Sequence, residues 1–279
     1  MTANTKMMTV KEQNKALSQT SVMCRAVDNL ELLLSQPDES VDLIYCDILY
    51  GTGRNFGDYQ DLKPIRSEIE AHYLPRLKEM HRVLKSTGSI YLQMDYRINH
   101  WIRCLMDDIF GYNRFVNEII WSYRSGGRSA NNYTSNHDTI LLYSKTKKYT
   151  FNKQKDISYL PKMKGRVKFE TVLNGYYSKC EHCDSDNVAV RNVEARDVWE
   201  FNILSCRSSE RTGYSTQKPK ALIERIIKAS SNEGDTVADY YLGSGTTAVV
   251  CKELNRNFIG CDINPKAIEI TNARLDAVS

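Results

Sequence analysis

The stretch from Thr236 to Asp262, TVADYYLGSGTTAVVCKELNRNFIGCD, leaves few folds open to the rest of the chain. Val237 and Ala238 lead into an acid, Asp239, and the turn Gly243-Ser244-Gly245 follows. Thr246 to Leu254 has helix-forming composition, and the apolar run Phe258 to Cys261 ends at a second acid, Asp262. Strand, glycine turn, helix and strand make half of a doubly wound nucleotide-binding sheet. The glycines let the backbone turn sharply and approach a ligand, and an acid about twenty residues on can accept hydrogen bonds from ribose hydroxyls. A cofactor containing a nucleoside is expected.

Gly243, Gly245 and Ala248 also satisfy the dinucleotide pattern GxGxxG/A, so this stretch alone fits an NAD enzyme equally well. Its position separates the two. Little chain follows the turn, so the remaining strands must come from earlier residues, whereas a dehydrogenase usually begins with this unit. The order of the halves is permuted.

At 279 residues and 41% hydrophobic content, the chain can bury one α/β core and carry an inserted subdomain. It has neither an apolar run of membrane-spanning length nor a basic-then-apolar leader, so no membrane partner and a cytoplasmic location are expected. Of the eight cysteines, Cys46, Cys251 and Cys261 lie in apolar segments and read as reduced packing residues. The net charge of +4 is mild, but Lys145 to Lys168 holds nine Lys or Arg against one acid, Asp156. That segment is a candidate phosphate-contacting surface, or else a solvated lysine-rich loop.

Residues 1–20 are polar and aperiodic, a flexible lead-in. Ser21 to Val27 reads as a strand ending at Asp28-Asn29, and an acid there faces the ligand crevice of a doubly wound sheet. The strand Val41 to Cys46 delivers Asp47-Ile48-Leu49-Tyr50 to the same edge. Helical spacing over Glu68 to Lys85 and Arg97 to Phe110 alternates with strands at Ser89 to Met94, Phe115 to Trp121 and Thr139 to Tyr143. From Lys145 to about Thr216 the α/β rhythm disappears, which marks an insert where specificity is expected. Within it Cys180-Glu181-His182-Cys183 has ligand spacing, with Cys206 further on, but no matching second pair completes a zinc site, so no metal is expected. Pro219 opens the helix that returns the chain to the sheet, and Asn264-Pro265 caps a final helix to about Ala277.

Taken in order, Asp47-Ile48-Leu49-Tyr50, a basic insert, Thr216-Gln217-Lys218-Pro219 and Asp239 to Thr247 resemble the beta-class N6-adenine and N4-cytosine DNA methyltransferases. The resemblance implies a Rossmann-like sheet of seven mostly parallel strands. Residues 21–144 would form the catalytic half, 145–215 the inserted target-recognition region and 216–279 the cofactor half. It implies S-adenosylmethionine as cofactor, with Gly243, Ser244, Gly245 and Thr246 against its methionine part and Tyr241 beside the sulfonium. Asp262 would meet the ribose, Asp28 with Asn29 the adenine, and Gln217 with Lys218 would close over the methionine end. Asp239 stands where the family has the acid of Asp-Pro-Phe. Asp47 and the Ile48 carbonyl would accept hydrogen bonds from the target amine, and Tyr50 would stack on a base flipped from double-stranded DNA. The family's motif carries two prolines where this chain has Ile48 and Leu49, so packing must hold the loop. N6 of adenine is the expected target because Asp47 is the residue commoner among adenine enzymes. N4 of cytosine, a non-catalytic DNA-binding paralogue and an RNA or small-molecule methyltransferase stay open. A homodimer and a cognate restriction endonuclease are the further partners implied.

Overall fold

Buried β-branched and aromatic runs flanked by amphipathic segments give the chain a central sheet with helices on both faces. The computed structural model describes residues 20–57, 59–124, 130–159, 190–205 and 207–278. Strands β1 (Val22–Ala26), β2 (Val41–Asp47) and β3 (Leu84–Met94) alternate with helices α1 (Asn29–Ser35), α2 (Arg66–Val83) and α3 (Asn99–Phe110). Then come β4 (Phe115–Ser122), β5 (His137–Ser144), β6 (Lys155–Tyr159), β7 (Val190–Glu194) and β8 (Val198–Glu200). The chain ends with α4 (Lys220–Ser230), β9 (Thr236–Asp239), α5 (Thr246–Glu253), β10 (Asn257–Asp262) and α6 (Pro265–Asp276).

The main sheet runs β1-β10-β9-β2-β3-β5-β4-β8. All neighbouring pairs are parallel except β3/β5 and β5/β4, so β5 alone runs against the others. Strands buried on both faces read as continuous apolar runs, and β2 alternates its side chains between two cores. Ile44 and Cys46 face Leu33, Ile69, Leu77 and Ile102 of α1 to α3. Leu43 and Tyr45 face Leu222, Ile226, Ala248 and Val250 of α4 and α5.

The sheet has an eighth strand beside the seven expected. Val198–Glu200 lies inside the anticipated insert, yet it pairs with β4 and buries Trp199. The chain accordingly forms two units by packing, one from the residues up to Phe151 with Asp197 onward, the other Asn152–Arg196. The second unit contains the antiparallel pair β6/β7. It is narrower than 145–215 because the main unit reclaims β8 and the residues leading into α4. Among the described residues no helix is long and apolar enough to cross a membrane. The lead-in and Cys180, His182, Cys183 and Cys206 lie outside the described residues.

Leaving β2, the chain goes through α2 to β3 on one side; leaving β9, it goes through α5 to β10 on the other. Neighbouring β2 and β9 thus form a topological switch point, the place where open α/β sheets bind ligands beyond the carboxyl ends of their strands.

Candidate active site

Four parallel strands end in acids at this edge: Asp28 after β1, Asp47 of β2, Asp239 of β9 and Asp262 of β10. All four line one cavity of about 610 Å³, together with Asn29, Ile48, Tyr50, Gln217, Lys218, Tyr241, Gly243, Ser244 and Thr246. Of the residues singled out from the sequence, only Gly245 lies off its wall. Gly245 has a structural task. It holds φ +75° at the start of α5, and a Cβ there would lie 2.3 Å from Thr271 Oγ1, so only glycine lets α6 pack this closely. Gly243, at φ +52°, turns the chain under the Tyr214 ring.

Asp262 holds the glycine turn to the strand beside it, accepting from the N–H of Gly243 at 2.8 Å and of Asn264 at 2.9 Å. Asp28 caps α1 through the Leu30 N–H at 2.8 Å and pairs with Arg76 at 2.9 Å, while Asn29 Oδ1 accepts from Arg76 Nε at 2.5 Å. Asp239 accepts from Thr247 Oγ1 at 2.6 Å and from the Tyr241 N–H at 3.0 Å. Burial nevertheless dominates and raises its carboxyl to about 7. His72, 3.2 Å from the Tyr241 hydroxyl, is pushed down to about 4, first by burial and then by Arg76.

On the β2 side, packing and hydrogen bonds replace the missing prolines. Ile48 is buried and donates its N–H to the Gln93 carbonyl at 3.1 Å, and the Tyr73 hydroxyl donates to the Leu49 carbonyl at 2.9 Å. Asp61, itself buried, accepts from the N–H groups of Gly51, Thr52 and Leu62 at 3.1, 2.7 and 2.8 Å. The loop after Tyr50 is therefore closed on itself.

Asp47 accepts from Lys218 at Oδ2, and its Oδ1 lies 2.9 Å from the Tyr50 hydroxyl. Burial pushes its carboxyl above the ordinary range, and Lys218 draws it back only in part. Lys218 Nζ also lies 5.4 Å from the centre of the Tyr50 ring. The structure thus puts Lys218 on Asp47, whereas Gln217 ties the preceding turn together, accepting from the Thr212 N–H at 2.8 Å and donating to the Glu210 carbonyl at 2.6 Å. Asp138, Gln93, Tyr45 and Tyr123 join Asp47 and Tyr50 in one hydrogen-bonded cluster. Sequence patterns do not single out these four, nor His72, Arg76 and Asp61. The available signals were an acid near the start of a strand at Asp138 and the i, i+4 pair His72 and Arg76 on a helix. Among the described residues, no cluster of His, Cys, Asp or Glu suits a metal ion.

The crevice fits a cationic nucleoside. Four strand-end acids and the Tyr241 ring line it, the glycine turn brings backbone close, and Asp262 stands at the second strand end.

Comparison with known proteins gives the same picture. A family model described as DNA methylase, for N6 and N4 methylation, matches residues 41–273. The type II methyltransferase M.HpaI of Haemophilus parainfluenzae is 35% identical over 91% of this chain and 72% of its own length. The DNA adenine methyltransferase YhdJ of Escherichia coli (strain K12) is 33% identical over 90% of this chain and 82% of its own. Among solved structures, PvuII DNA methyltransferase, cytosine-N4-specific, superposes with TM-score 0.62 at 16% identity, covering 93% of this chain and 94% of that one. A complex of M1.HpyAVI with S-adenosylmethionine gives TM-score 0.58 at 21% identity, covering 91% and 99%. At such identities the likeness shows the fold.

Proposed function

The chain belongs to the family of N6-adenine and N4-cytosine DNA methylases, and from that premise we propose that it methylates N6 of adenine in duplex DNA. S-adenosylmethionine is the cofactor and, when bound, supplies an electrophilic methyl group on a positively charged sulfur. The observation that carries the reading is the meeting of Asp47 and Tyr50 with the glycine turn and Asp262 in one cavity. Donor and acceptor sites share a single chamber.

Gly243, Ser244 and Thr246 hold the methionine part, Tyr241 lies beside the sulfonium, Asp262 takes the ribose hydroxyls and Asp28 with Asn29 the adenine. Asp47 does the work at the acceptor. An exocyclic amine is a poor nucleophile because its lone pair is delocalised into the ring. A carboxylate that accepts its N–H, with the Ile48 carbonyl as a second acceptor, orients and polarises it for attack. Tyr50 receives the flipped base on its ring, a contact worth roughly 1 to 3 kcal/mol. Lys218 holds Asp47 in place and favours its charged form against burial.

Asp47 favours adenine, since a carboxylate at this position is commoner among adenine enzymes. The fold shared with a cytosine-N4-specific enzyme supports N4 of cytosine as the second reading. Incubation with labelled S-adenosylmethionine and duplex DNA, followed by digestion and mass spectrometry, separates them. N6-methyladenine is expected, N4-methylcytosine alone overturns the adenine assignment, and no label in DNA overturns the reaction. The proposed homodimer is checked by light scattering. The restriction endonuclease that accompanies type II enzymes is sought by assaying host extracts for cleavage that this methylation blocks.

A further inference from the structure

Tyr50 has one phenolic proton and two carboxylates within reach of it. Its hydroxyl lies 2.6 Å from Asp138 Oδ2 and 2.9 Å from Asp47 Oδ1. An ionised carboxylate only accepts, so one O–H cannot fully serve both. The shorter contact goes to Asp138.

Asp138 is held for this task from several sides. It is the second residue of β5, which runs antiparallel to β3 and β4 and so starts at the edge where β2 and β9 end. It is 4% exposed, and its Oδ2 also accepts from Gln93 Nε2 at 2.9 Å while Oδ1 accepts from the Tyr123 hydroxyl at 3.0 Å. Gln93 is oriented in turn by the Tyr45 hydroxyl, which donates to its Oε1 at 2.8 Å, and Nε2 lies 3.3 Å from the Tyr50 oxygen. Among the described residues Asp138 thus accepts from Tyr50, Gln93 and Tyr123.

We infer that Asp138 is a positioning residue for methyl transfer: by taking the Tyr50 proton it keeps that proton off Asp47 Oδ1, leaving this oxygen to the target amine. Lys218 already occupies Oδ2 of Asp47. Oδ1 is therefore the atom with room for an incoming N–H, and a Tyr50 free to turn its proton there would compete with the substrate. The inference rests on the amino-group methylation reading for its consequence, though not for the hydrogen bond itself.

Two variants and one spectroscopic readout test it. Asp138→Ala lets Tyr50 donate to Asp47, and kcat should fall about 100-fold, as for small misplacements at a reacting centre, with cofactor affinity and KM for DNA little changed. Asp138→Asn still offers an oxygen to Tyr50 if its amide faces Tyr123, whose hydroxyl can turn to accept, and should recover about tenfold of that loss. Because Asp138 acts through Tyr50, adding Asp138→Ala to Tyr50→Phe should cost less than about twofold more. Losses that multiply across the two sites would overturn the inference and leave Asp138 a structural acid. Independently of turnover, the 13C resonance of the Tyr50 ring carbon bearing oxygen, assigned by its loss in Tyr50→Phe, should move in Asp138→Ala and stay near its place in Asp138→Asn. An unmoved resonance in Asp138→Ala overturns the proposed hold on Tyr50. Should the unaltered protein label no DNA, the methylation reading fails by itself, and the resonance still decides whether Asp138 takes the proton.

Discussion

At the scale of single residues, the row of acids at the sheet edge does several jobs with one residue type. Asp262 holds the glycine turn and is the proposed ribose acceptor, so Asp262→Ala should weaken S-adenosylmethionine binding by roughly 1.5 to 3 kcal/mol. Unchanged affinity in calorimetry contradicts that role. Asp239 is the proton-sensitive member. Its carboxyl titrates near 7 in the folded chain against an ordinary 3.8, so between those values the folded chain holds a proton that the unfolded chain has released. Stability from this group is present below that interval and is lost as pH rises through it. Asp239→Asn should flatten this decline in urea unfolding measured across the interval, and an unaltered slope would assign the titration elsewhere. The strand-terminal acids and Tyr50 were legible from the sequence because each ends an apolar run. Asp138, Gln93 and Tyr123 were not. Their meeting with Tyr50 depends on β5 lying between β3 and β4, a lateral order that no local pattern encodes.

At the scale of elements, boundaries were readable wherever a cap or a turn residue fixes them. Asn264 caps α6 through the Lys266 N–H at 3.0 Å with Pro265 in the first turn, and Pro219 stands at the cap of α4, as their positions predict. The three residues of β8 are too few to show a period, and only pairing with β4 makes them a strand. The loop after Tyr50 shows how a closed element replaces a rigid one. Without prolines, its shape depends on Asp61, whose carboxylate takes three backbone N–H groups. Asp61→Ala leaves these donors unmet and should cost about 3 kcal/mol of stability. Methyl transfer should fall more than cofactor affinity does, since the loop continues directly from Tyr50. Parallel unfolding and binding measurements check both. The packing of α6 on the glycine turn makes Gly245→Ala costly by about 1 to 3 kcal/mol through overpacking against Thr271 and strain at positive φ. Thr271→Ala should return part of that loss in denaturant unfolding, and no return would attribute the cost to φ alone.

At the scale of the whole molecule, charge and chain order matter most. The basic run after β5 is not uniform. Lys145 is spent internally, on Glu39 at 3.2 Å and the Leu84 carbonyl at 2.6 Å, whereas Lys147, Lys148, Lys153 and Lys155 are exposed. Replacing those four by glutamine should spare cofactor binding and flatten the salt dependence of DNA affinity by about 0.9 in logarithmic slope for each phosphate no longer neutralised. An unaltered slope would make the run merely solvated. The permuted order visible in the sequence has its counterpart in the sheet, where β1 pairs with β10, and β9 enters between β10 and β2. That placement sets a clock on synthesis. At roughly 5 to 20 residues per second, β1 and one edge of β2 wait on the order of ten seconds or more before their partners leave the ribosome. During that time β1 lacks β10, its neighbour in the finished sheet. Until β9 and β10 arrive, β1 and one edge of β2 carry unpaired backbone groups, and the yield in a cell depends on what shields them.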